Sequence, residues 1–269
     1  MEKTFDITLI VNYLEKFKFD LHKLYSWNAK IDKLIDLGIF TKEKVLELNS
    51  LTPYEKEIEL KKVVGGKLRE YLETDKSSFE KLCLWIIKDW GGITSANDRE
   101  TINLVYSFLN DEKKSFKRIA SKSKVGAYLY PEQNVIYDSR VAYSINWIIL
   151  KENAGEVFFP IPEGRNSKMS AFDLDVLIRL KNIHHFQPKS RIQTEERFFI
   201  KNADKKIFIK ESEAYIELTT LIKRISDELW KGDDEKKRNL YYTEMLLFSI
   251  ADREIFMDIT NTVKFEMNI

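Results

Sequence analysis

The chain has 269 residues, enough for one two-lobed unit with a sizeable core. Its formal net charge is only +1. That excludes the global basic field of a protein that holds nucleic acid by bulk charge, and leaves room for a local basic face. Nine glycines and five prolines are too few for long linkers or an all-β fold, and the single cysteine, Cys83, excludes an internal disulfide and any four-cysteine zinc or iron–sulfur site.

The first amphipathic helix is expected over residues 7–19, with Ile7, Ile10, Val11, Leu14 and Phe17 on one face. A short helix at 30–37 is stopped by Gly38, and another starts at a Thr41 cap. Thr52-Pro53 opens a helix through Ile58, Leu60 and Val63, with Gly65-Gly66 as a weak point. Ser77 or Ser78 caps the next, which stops at Trp90-Gly91-Gly92. Asp98 begins a helix carrying Ile102, Val105, Tyr106 and Leu109, and residues 112–120 read as a shorter basic one.

A break is expected at Ser121–Ser123, followed by a second helical turn with Lys122 and Lys124 near its start. Broken helices expose backbone N–H groups, and basic side chains around them suit a phosphate. A solvated basic helix end is the plainer reading of the same residues. Val135-Ile136-Tyr137 then leads into Asp138 and an apolar helix from Ser139 to about Lys151. Asp138 is well placed as an N-cap and nothing more. It also stands at the edge of a core, where a charge is costly without a partner or a role.

Beyond this, Gly155, Pro160, Pro162 and Gly164 mark a loop, and helix resumes from about Ser170 to Ile183. Phe198-Phe199-Ile200 and Ile207-Phe208-Ile209 flank Asn202-Ala203-Asp204 and suggest a small β-hairpin or extended flap. Two helices, about 213–230 and 237–250, close the pattern. No stretch of 18 apolar residues is present, so no membrane span is expected and no membrane partner is assigned. With no leader pattern, the expected location is the cytoplasm. His184 and His185 are neighbours pointing about 100° apart on a helix, and with His22 they offer no metal site.

The order of Ser123-Lys124-Val125, a short helix, an apolar lead-in, Asp138-Ser139-Arg140-Val141 and a buried helix resembles the helix-hairpin-helix DNA glycosylase superfamily. Within it the chain looks most like a bacterial group with the 8-oxoguanine DNA glycosylase fold, which the helix Tyr242–Phe248 also resembles. The resemblance implies a mainly α fold of two helical lobes in one unit over 1–269. About 77–150 would form the hairpin lobe, and 1–76 with 151–269 the packing lobe.

It further implies a monomer that acts on double-stranded DNA without metal or cofactor. Such an enzyme excises a modified or damaged base in repair or anti-phage defence, with or without strand scission. Lys124 would attack the sugar and Asp138 assist. Ser121, Lys122, Ser123, Gly126, Arg140, Arg165 and Asn166 would contact DNA. The flipped base needs aromatic or apolar walls; Trp90, Tyr128, Phe158 and Phe159 are candidates, each also a plausible core residue. A catalytically silent DNA-binding or protein-interaction module of the same fold is the competing expectation.

Overall fold

A computed structural model describes residues 4–95, 97–164 and 167–264. The protein is mainly α-helical, as its periodicity predicts. The helix starts follow local chemistry. Asp6, Thr41 and Asn97 each cap a helix through a side-chain oxygen. Thr52 and Glu55 form a reciprocal capping box, with Pro53 at the first helical position of Pro53–Thr74. Asp75, rather than Ser77 or Ser78, caps Lys76–Trp85 by accepting the N–H of Ser78 at 3.1 Å.

Gly65-Gly66 does not interrupt Pro53–Thr74. Gly65 is where that helix meets Ile119–Leu129: a Cβ there would lie 2.6 Å from the carbonyl oxygen of Tyr128. The glycine is a close-approach point between two helices, not a breaker. The helix Lys76–Trp85 continues into a π-helical turn, Ile86–Trp90, before Gly92 turns away with φ +69°.

Three further expectations are corrected. Residues 112–118 form no helix; Arg118 adopts a left-handed conformation and starts Ile119–Leu129. That helix runs unbroken through Ser121–Ser123. The serines that suggest a break are buried, and the Ser123 hydroxyl accepts the N–H of Tyr137 at 3.0 Å. Tertiary bonding thus absorbs the Ser123 side chain, which would compete with the helix if solvated. The third correction is the β-hairpin. Residues Phe199–Ile207 are helical, with Ala203 and Ile207 buried one turn apart. Only Phe208 pairs as a strand would, in one parallel bridge with Phe158.

Two hydrophobic cores result. One joins Ile7–Lys18 and Ser139–Glu152 to the helices of the last hundred residues. The other joins residues 29–68 and 79–105 to Val125, Tyr128 and Leu129. Leu60 and Val64 pack with Val125, Tyr128 and Leu129 of Ile119–Leu129 in the second core, and the apolar residues of Ser139–Glu152 pack in the first. The seam is drawn residue by residue at 135–137. Val135 and Tyr137 enter the first core and Ile136 the second, the two-residue alternation of an extended chain. Trp27 packs against both cores.

Candidate functional site

A small cavity of about 80 Å³, partly open to solvent, lies on this seam. Lys124 comes to it from Ile119–Leu129, and Asp138 and Arg140 from the start of Ser139–Glu152. Trp90 and Gly91 arrive on the π-helical turn, a distortion that recurs at functional sites.

Lys124 is buried, and its ammonium donates to the carbonyl of Ala120 at 2.7 Å. Burial pulls its pKa below the ordinary lysine value. Asp138 and Glu244 oppose that shift, whereas Lys61 and Arg140 reinforce it. Gly91 permits the packing: a Cβ there would lie 2.9 Å from Lys124 Cδ and 2.7 Å from the carbonyl oxygen of Ile87. Asp138 is half-buried and caps its helix, Oδ1 accepting the N–H of Arg140 at 2.7 Å. The Arg140 guanidinium is held between Asp252, with Nε 3.1 Å from both oxygens, and the ring of Phe248 at 4.8 Å.

The charged floor of the cavity escapes the sequence reading. Glu57 and Lys61 lie one turn apart on Pro53–Thr74, and their side chains are almost wholly buried. Glu57 accepts the indole N–H of Trp90 at 2.8 Å and the hydroxyl of Tyr128 at 3.2 Å. Burial raises its carboxyl pKa. Glu244, from Tyr241–Ile250, accepts the N–H of Ile136 at 2.9 Å. Burial pushes its pKa up to about 7, despite the opposing charge of Lys61.

A signal for these residues exists. Glu57 and Lys61 sit in the helical stripe of Leu60, Val64 and Leu68, and Glu244 interrupts the apolar run around Met245-Leu246-Leu247. Charges on a core-facing stripe mark either a partnered ion cluster or a site.

The remaining predicted residues divide. Trp90 walls the cavity with Tyr25, Trp27 and Phe248, and Tyr128 stands behind it, its ring 5.4 Å from that of Trp90. Phe158 and Phe159 do not line it. Both are core residues: Phe159 stacks on Phe5 at 5.7 Å, and its N–H and C=O both bond the Asn146 amide. Ser121 lines an outer groove that continues from the cavity past Lys117, Arg118 and Gly164. Lys122, Ser123 and Gly126 line neither space and are buried. Gly126 admits the ring of Phe108, which a Cβ would meet at 2.6 Å. Arg165 and Asn166 lie outside the described residues.

Among the described residues, no group of three His, Cys, Asp or Glu side chains could hold a metal ion. Nor is any helix among them long and apolar enough to cross a membrane. No protein-family model, curated protein or solved structure matches the chain.

Proposed function

We propose that the protein is a DNA N-glycosylase that takes a modified or damaged base into the cavity and cleaves its glycosidic bond, in repair or in defence against phage DNA. The observation that carries this reading is the convergence of Lys124 and Asp138 on one aromatic-walled cavity. Catalytic groups must meet at a single reacting centre, and an extruded base needs walls on which to stack.

The chemistry follows from the two side chains. As the bond from C1′ to the base breaks, its electron pair leaves with the base and positive charge builds on the sugar. A carboxylate about 4 Å away, at an effective dielectric of about 20, stabilises that charge by roughly 4 kcal/mol, about a thousandfold in rate. Asp138 supplies it. The Lys124 amine attacks C1′ only when neutral, and its burial moves it toward that state. Attack forms a C1′–N bond, releases the base with a proton, and leads through a Schiff base to strand scission. Without attack, water replaces the base. Lys117, Arg118 and Arg140 on the outer groove would hold the flanking phosphates.

A second reading has its own support. Asp138 is occupied as a helix cap and Lys124 donates within its helix, the roles both would have in a silent DNA-binding protein. Incubation with duplexes carrying damaged or phage-modified bases, followed by detection of free base, decides between them. Base release abolished by Asp138→Asn supports the enzyme. Salt-dependent DNA binding with no release from any duplex supports the silent binder.

A further inference from the structure

The floor of the cavity contains a polar group that the chemistry above leaves unused. Lys61 Nζ is shut off from solvent and has no hydrogen-bond partner among the described residues. Its nearest anionic oxygen, Glu57 Oε1, is 3.6 Å away, too far for a hydrogen bond. Glu57 is itself engaged by Trp90 and Tyr128. The ring centroids of Tyr128 and Trp90, at 4.1 and 4.8 Å, offer the ammonium only their π faces. Lys61 nevertheless lines the cavity. A buried ammonium with its donors unfilled at the wall of a cavity is set to receive an oxygen.

Glu244 lines the same cavity from another helix, with Oε2 engaged by the N–H of Ile136. The aromatic walls stack any base, because every base has a π face. Discrimination therefore falls to the polar floor, where a donor from Lys61 stands with a carboxyl group from Glu244.

We propose that Lys61 receives a carbonyl oxygen of the bound base while Glu244 faces the adjoining ring N–H. The cavity then selects keto heterocycles, which carry C=O beside N–H, over adenine, which has an amino group and no carbonyl oxygen. This rests on the reading that the cavity takes a base. An exocyclic amino group would turn its N–H donors toward the ammonium and leave Lys61 unfilled. A site built around a hydrogen bond rejects ligands that cannot make it far more strongly than an apolar site rejects a change of shape.

The test uses free bases, so it does not depend on catalysis. The whole protein is titrated with hypoxanthine and uracil, and separately with adenine, following tryptophan fluorescence and heat. The keto bases are expected to bind at least about tenfold more tightly, and Lys61→Met to abolish the preference. Equal affinity in the wild-type protein, no binding of any base, or a preference that survives in folded Lys61→Met would each overturn the assignment. The wild-type comparison is decisive even where Lys61→Met does not fold. Keto-selective binding without base release from any duplex would reject the glycosylase reading and leave the assignment of Lys61 standing.

Discussion

Asp138 accepts the backbone N–H of Arg140 at 2.7 Å while lining the same cavity as Lys124. One carboxylate thus carries a structural duty and a chemical opportunity, and substitution separates them. Asparagine caps a helix about as well as aspartate, whereas alanine costs about 1 kcal/mol. Asp138→Asn is expected to keep the denaturation midpoint and reduce base release about a thousandfold. Asp138→Ala is expected to lose both. A loss of activity that tracks stability across the two variants would assign Asp138 to capping alone.

Lys124 adds a pH signature. Its pKa is lowered first by burial, then by the positive charges of Lys61 and Arg140. The neutral, attacking fraction therefore grows as pH rises and levels off below the ordinary lysine value. Borohydride trapping of a covalent DNA adduct is expected to follow that rise and to vanish in Lys124→Met. Arg140→Met removes one depressing charge, so the midpoint is expected to move to higher pH. A midpoint unchanged in Arg140→Met would sever the electrostatic link between the two residues.

Glu244 makes stability fall with pH. Its carboxyl is raised from 4.5 to about 7 in the folded protein, so the folded chain binds more protons than the unfolded chain between those values. The stabilisation is complete below about pH 4.5 and is lost as pH rises through about 7, a change on the order of 3 kcal/mol. Glu244→Gln is expected to flatten that decline, read from denaturant unfolding at pH 5 and pH 8. An equal decline in the variant would place the linkage elsewhere, with Glu57, also raised by burial, the next group to test.

Gly91 is the packing test. Its backbone has φ −83°, which alanine adopts freely, so any cost of Gly91→Ala comes from space and not from conformation. The new methyl meets the carbonyls of Ile86 and Ile87 and the Lys124 stem, all under 3 Å. A loss of about 1–3 kcal/mol is expected, with reduced trapping as Lys124 is displaced. An unchanged unfolding midpoint would show that the π-helical turn relaxes around the methyl.

Most helices were legible in the chain because their causes are local. Thr52-Pro53 with Glu55, the apolar spacing of Ile10, Val11 and Leu14, and the Asp138 cap each act within a turn or two of their own position. The readings of 112–123 and 198–209 failed for the opposite reason. Ser121 and Ser123 look like turn residues until Tyr137, fourteen positions away, donates to the Ser123 hydroxyl. The triplets around Asn202 look like strands until Ala203 and Ile207 find a core to cover.

The site divides in the same way. Asp138, Arg140 and Trp90 could be singled out from order along the chain, since a helix start and a helix stop are written in neighbouring residues, whereas Lys124 was singled out beside a break that the helix Ile119–Leu129 does not have. Glu57, Lys61 and Glu244 could not be assigned to one cavity, because Glu244 lies on a separate helix 187 positions from Glu57. Sequence alone determined the helical class and where most helices begin, through capping and periodicity that need no distant partner. Tertiary structure alone decided which buried charges share a floor, because burial and pairing arise only when the two cores close against each other.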